Sequence, residues 1–143
     1  MFYWPVRVYY EDTDSGGVVY YANYLKYLER ARTEWLRNLG VEQDVLVESA
    51  GVIFAVRSLS IDYLRPARFN EQLYAGAAVV ERRAASLSFR QRVVRAANAP
   101  AAAAASAAAE LCTARVQIVC VDAARLRPRR IPDFLLAEIE RDG

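Results

Sequence analysis

Two carboxylates, Asp12 and Asp14, stand in the stretch Asp12-Thr13-Asp14-Ser15-Gly16-Gly17, a few residues ahead of a segment with helical periodicity. That placement suits chemistry at a carbonyl. Acyl transfer needs a nucleophile or base on one side of the carbonyl carbon and hydrogen-bond donors for the developing oxyanion on the other. A helix N-terminus supplies unpaired N–H groups and the positive end of the helix dipole, already oriented. Gly16 and Gly17 let a substrate come close to the backbone. For a thioester one carboxylate suffices, by direct attack or by activating water. The same residues also make an ordinary turn with capping aspartates. Taken locally, both readings stand. An EF-hand calcium loop fits poorly, because Asn23 occupies the twelfth position where a Glu is needed and no helix precedes the loop.

The rest of the composition narrows the chemistry further. There is no histidine, which removes Ser-His-Asp and Cys-His arrangements and any His-ligated metal. Two cysteines, Cys112 and Cys120, are too few for a thiolate-rich zinc site. Eight residues apart on one strand they would lie roughly 26 Å from each other, too far for a disulfide. They read as small core side chains. Neither a metal nor a cofactor is expected. With 19 basic and 17 acidic residues the net charge is +2, which gives no footprint for nucleic acid. No apolar run reaches membrane-spanning length and the N-terminus has no signal-peptide pattern, so a cytoplasmic chain without membrane insertion is expected. The 143 residues suit one domain; 25 of them are Ala, so the 55% hydrophobic content overstates the large-side-chain core.

The elements that must hold Asp14 follow from periodicity. Residues 5–11 alternate, with Val6, Val8 and Tyr10 on one side of a strand. From Asn23 to Leu39 the period is helical: Tyr24, Tyr27, Leu28, Ala31, Trp35 and Leu39 form one stripe. Asn23 is the expected N-cap and Gly40 the stop, with Arg30 and Glu34 spaced to pair. Four strands follow. Residues 52–64 are expected to place Ile53, Leu59, Ile61 and Tyr63 on one face. The next strands lie near 72–82 and 86–97, the latter with Leu87, Phe89 and Val93 on one face. The last, near 110–121, turns Cys112, Ala114, Val116, Ile118 and Cys120 inward. Residues 66–71 are a turn, and Pro132 opens a terminal helix, Asp133–Arg141. The Ala-rich run 99–109 connects two alternating segments and has no functional role assigned. One long amphipathic helix and a sheet of this size bury each other as an antiparallel sheet curled around the helix, an α+β arrangement. Its edges and outer face would then call for a partner chain.

The segment from Val6 to Leu36, with its Tyr-x-Asp-Thr-Asp-x-x-Gly-Val-Val-Tyr signature, resembles the 4-hydroxybenzoyl-CoA thioesterase family. It is closest to the YbgC-like acyl-CoA thioesterases found with the Tol-Pal envelope system. The resemblance continues through residues 61–71, 86–94 and 116–122, nearly the whole chain. It implies a single hotdog domain, residues 1–143, working as a dimer or tetramer with active sites between subunits. The family's catalytic aspartate falls on Asp14, while Asp12 looks structural. The backbone N–H of Tyr21 falls where the family polarises the carbonyl, with Gly17, Val18 and Asn23 around the substrate. Members of the subgroup often carry histidine at the position of Tyr21; a backbone donor survives that change and an imidazole does not. Arg57 and Arg83 are candidates for the CoA phosphates, as is the group Arg125, Arg127, Arg129 and Arg130. The expected substrate is a short- or medium-chain acyl-CoA or an aryl-CoA, with acyl carrier protein as a further partner. The alternative is an acyl-carrier or envelope-lipid-enzyme binding module with weak or no catalysis. A dehydratase of the same fold is disfavoured, since that chemistry generally relies on histidine.

Overall fold

In the computed structural model, residues 1–95 and 110–142 are described. The Ala-rich run 99–109 lies outside them. Five strands form one antiparallel sheet: β1 (Phe2–Arg7), β2 (Val52–Tyr63), β3 (Gln72–Arg82), β4 (Ser86–Arg95) and β5 (Glu110–Asp122), in spatial order β1-β3-β4-β5-β2. Helix α1 (Asn23–Asn38) lies on the inner face; α2 (Gln43–Ala50) and α3 (Asp133–Asp142) complete the chain. The expected stripe on α1 is the buried one: Tyr24, Tyr27, Leu28, Ala31 and Trp35, with Leu36 added and Leu39 packed at its border. It meets Leu87, Phe89 and Val93 of β4, and Cys112, Ala114, Val116, Ile118 and Cys120 of β5. The Trp35 and Phe89 rings meet edge to face, 5.2 Å between centroids. Both cysteines are free and buried, and burial pushes the Cys112 thiol up to about 12, so it stays protonated and inert.

Several expectations are corrected. The first strand runs Phe2–Arg7 rather than 5–11, because a 3-10 turn, Tyr10–Asp12, breaks the alternation. Val6 and Val8 are buried, but Tyr10 is thrown out to stack on Phe69, 3.8 Å between centroids. Pro5, which has no N–H to give a ladder, sits on this edge strand. On β2, a bulge shifts the register between Val56 and Ser58. The extra residue, Arg57, reverses parity, so Val52 and Phe54 join Ile61 against the core and Ile53 does not. Asn23 is not the N-cap; Ala22 holds that position without a side-chain bond, and the Asn23 amide is used elsewhere. Glu34 pairs with Arg37, while Arg30 lies 6.0 Å over the Tyr27 ring. Gly40 ends the helix as expected, at φ +87°. Helix α2 was not foreseen. It buries only Leu46 and stops at Gly51, whose φ is +67°, too weak a pattern to register as a helix.

Candidate active site

The Asp12 carboxylate is buried, and its Oδ2 accepts the Tyr9 N–H at 2.9 Å, closing the 3-10 turn. The Asp12 carbonyl accepts both the Tyr20 N–H, at 2.9 Å, and the Asn23 side-chain amide, at 2.8 Å. One residue therefore ties the strand end to the helix entry. Asp12 is structural in this geometry, and Asn23 spends its amide on the same tie. Between these anchors the chain turns back on itself. The Asp14 N–H reaches Val18 O at 2.9 Å, and the Gly17 N–H reaches Asp14 O at 3.0 Å. Gly17 takes φ +80°, a conformation that would strain any residue with a side chain. Val18 forms a bridge with Arg68, and the Val19 N–H donates to Ala67 O at 2.8 Å, stitching the loop to residues 66–71.

This turn presents the Asp14 side chain outward. Oδ1 accepts the Gly16 N–H at 2.8 Å, and Oδ2 has no hydrogen-bond donor among the described residues. A Cβ at position 16 would sit 3.1 Å from Oδ1, so glycine there keeps the carboxylate uncrowded. At the helix entry, the N–H groups of Tyr20, Asn23, Tyr24 and Leu25 are all bonded to carbonyls behind them. Those of Tyr21 and Ala22 make no hydrogen bond to a described residue. They are the unspent donors that a helix start leaves available.

Around the entry stands an aromatic wall that the sequence did not announce. The Tyr63 hydroxyl donates to Tyr21 O at 3.0 Å. The Tyr63 ring meets Tyr24 edge to face at 5.5 Å and Tyr21 at 6.1 Å. Tyr21, Tyr24, Tyr63, Leu64 and Arg65 line a groove of about 270 Å³. Tyr63 is placed by the alternation of residues 52–64 on one face with Ile53, Leu59 and Ile61. Its position at the last residue of β2, beside the helix start, follows from topology alone. Tyr24 is buried, and its hydroxyl oxygen accepts the Ala67 N–H at 2.9 Å. Burial raises its pKa, as it does that of Tyr27. The Tyr27 hydroxyl makes no well-formed hydrogen bond, although the neighbouring Asp12 carboxylate adds to the rise. Tyr24→Phe leaves the Ala67 amide without its acceptor. It should cost about 1–3 kcal/mol in chemical denaturation and loosen the loop that Ala67 O holds at Val19. Unchanged stability would show that the hydroxyl bond is dispensable.

The arginines expected at the CoA phosphates are not gathered here within one chain. Arg57 is exposed at the bulge of β2, six residues and roughly 20 Å along the strand from Tyr63. Arg83, in the β3–β4 turn, pairs with Glu81 and borders a groove lined by Ser58, Ser88 and Gln117. Arg129 lies 3.5 Å from Asp122, and Arg130 lies 3.3 Å from Asp133; both serve the terminal connection. Arg125 and Arg127 are exposed in the same connection.

An antiparallel five-stranded sheet curled around one long central helix is the hotdog fold. The sequence profile of the thioesterase-like superfamily matches residues 8–139, and the chain belongs to that family. It is a homologue of the YbgC enzymes: the acyl-CoA thioester hydrolase YbgC of Escherichia coli O6:H1 is 42% identical over 141 residues, covering 99% of this chain and 97% of the relative. The acyl-CoA thioesterase YbgC of Haemophilus influenzae is 41% identical, covering 92% of this chain and 88% of its own. Among solved structures, a probable thioesterase from Bartonella henselae superposes with a TM-score of 0.80 at 30% identity, covering 91% of this chain and 98% of the other. By this kinship the protein is a thioester hydrolase.

Proposed function

We propose that this chain hydrolyses short- or medium-chain acyl-CoA or aryl-CoA thioesters, with Asp14 as the catalytic carboxylate. The observation that carries the reading is the pairing of an outward Asp14 carboxylate, one oxygen free, with the unspent Tyr21 and Ala22 amides across a turn fixed by Asp12. The Tyr21 N–H takes the thioester oxygen and the growing oxyanion. Asp14 Oδ2 either removes a proton from the attacking water, or attacks the carbonyl carbon itself to give an acyl–Asp14 anhydride that water then cleaves; in both routes the C–S bond breaks and the thiolate leaves as the CoA thiol with a proton that comes from the water. Gly17 and Val18 shape the backbone beside the thioester, and Asn23, one of whose amide N–H groups ties the helix entry to Asp12 O, stands beside them. Thiol release should be measured across acyl lengths and aryl acids, on CoA and on acyl carrier protein. Turnover on CoA substrates above the uncatalysed rate is expected; its absence from every substrate would leave a binding module as the better reading.

The same reading takes the protein to be a homo-oligomer, a dimer or tetramer. β2 is a 12-residue edge strand, and Val56, Leu59, Tyr63 and Leu64 are exposed along and just beyond it. A long apolar edge of that kind seeks a partner. Light scattering at micromolar concentration should give at least twice the mass of the 16.1 kDa chain. A stable monomer would remove the interfacial site.

A further inference from the structure

The peptide that joins Tyr21 to Ala22 carries one of the two unspent donors at the start of α1, and its oxygen is held from outside the helix. In a regular α-helix the Tyr21 carbonyl would accept the N–H of Leu25, four residues on. Here the Leu25 N–H turns to Ala22 O at 3.1 Å, and the Tyr24 N–H reaches Tyr21 O only at 3.4 Å. The short bond to that oxygen comes from the Tyr63 hydroxyl, at 3.0 Å. Tyr63 is firmly placed for this. Its backbone pairs with Cys112 at the end of β2, and the N–H groups of Leu64 and Arg65 both donate to Leu111 O, at 2.8 and 3.1 Å. Its ring meets those of Tyr24 and Tyr21 edge to face, and Tyr24 is itself pinned through its hydroxyl to the Ala67 N–H. Burial raises the Tyr63 pKa above that of an ordinary tyrosine, so the hydroxyl keeps its proton at neutral pH.

A peptide unit is planar and trans, so the Tyr21 carbonyl and the Ala22 N–H point in opposite directions from one rigid plate. A donor on the oxygen fixes that plate. It also draws electron density toward the oxygen, which makes the N–H on the other side a stronger donor. Both effects count at a helix start, where the first N–H groups have no partner within the helix to hold them. We propose that the Ala22 N–H is a second donor to the thioester oxygen, beside that of Tyr21, and that Tyr63 is the positioning residue that aims and strengthens it. The proposal rests on the thioesterase reading and deepens it: Tyr63 acts through the peptide it holds, not on the reacting atoms. An oxyanion is stabilised by donors already oriented when its charge develops. The contribution of Tyr63 therefore falls on turnover and not on substrate binding.

Tyr63→Phe removes the hydroxyl and keeps the ring. In the full-length protein, kcat on an acyl-CoA substrate should fall about tenfold, the worth of one hydrogen bond, with KM unchanged. The melting temperature should hold, since the lost bond is open to solvent. A second arm needs no hydrolysis. A CoA ketone, with a methylene in place of the thioester sulfur and an isotope label at the carbonyl, is bound to the protein and followed by infrared difference spectroscopy. Donors on a carbonyl oxygen lower its stretching frequency. The parent should lower it below the value in water, and Tyr63→Phe should give back part of that shift. Asp14→Asn should keep the parent shift, so a failure of the catalytic carboxylate appears in hydrolysis and not in the spectrum. An unchanged kcat in Tyr63→Phe, whether or not KM rises, makes Tyr63 a wall of the groove. A loss of rate that tracks melting makes the hydroxyl structural, and a carbonyl stretch identical in the parent and Tyr63→Phe leaves Tyr63 without influence on the donors. Each of these outcomes overturns the proposal.

Discussion

Asp14→Asn is expected to lose at least about a hundredfold in thioester turnover while its melting temperature stays unchanged. Asn matches the shape of Asp, and its side-chain oxygen can still accept the Gly16 N–H that Oδ1 takes at 2.8 Å. The turn, held by the Asp14 N–H to Val18 O and the Gly17 N–H to Asp14 O, does not depend on the carboxylate charge. The amide nitrogen of Asn replaces the free oxygen, and it can neither take a proton from water nor attack a carbonyl carbon. Losing a positioned base costs about 10²–10⁴ in rate, and losing a nucleophile can cost more. Asp12→Asn is the matched control and should behave in the opposite way. That carboxylate is buried against the Tyr9 N–H, so its loss falls on stability, by about 1 kcal/mol, with a far smaller effect on turnover. Thiol release and thermal melts on both variants decide the matter. Equal losses at the two positions, or an Asp14 loss that tracks unfolding, would return Asp14 to the turn.

Gln91→Leu should be the most damaging near-isosteric change in the core, at about 3 kcal/mol. An apolar side chain at a core-facing position of β4 looks like an improvement by pattern alone, since Leu87, Phe89 and Val93 share that face. The structure reverses the sign. Leu at 91 removes the acceptor from Arg32 and leaves a half-buried guanidinium with no hydrogen-bond partner among the described residues. It also strips one donor from the carbonyls of Leu28 and Gly76. Removing one side of a buried charged hydrogen bond costs the desolvation of the side that remains. The double variant Arg32→Met/Gln91→Leu removes both sides and should regain most of the loss, an interaction visible in a double-mutant cycle. Denaturant melts of the four proteins test it. A Gln91→Leu protein as stable as the parent would show that water reaches Arg32 freely.

Much of this protein is written locally. The 3.6-residue stripe from Tyr24 to Leu39 specifies α1 and its buried face, and Gly40 ends it through a conformation that only neighbours and φ decide. The alternation in β4 and β5 specifies which side chains face the helix, cysteines included. The Asp-Thr-Asp-x-Gly-Gly turn is legible for the same reason: short polar side chains and glycines bond to backbone within four residues of themselves. The catalytic assignment of Asp14 also rests on sequence, since family resemblance and chemistry reach it before any coordinate does.

What the sequence could not decide is whatever depends on register across the sheet. A single extra residue at Arg57 exchanges the faces of β2, moving Ile53 off the core and Phe54 onto it, and no local pattern marks where that residue falls. Tyr63 reaches the helix entry only because β2 ends there, and Ala67 is a loop anchor only because the Tyr24 hydroxyl meets its amide. Arg32 and Gln91, 59 residues apart, become one hydrogen-bonded pair beside a cavity when α1 settles on β4. Period and turn chemistry act through neighbours in the chain, whereas pairs and cavities are set by how strands align, which requires the whole sheet at once.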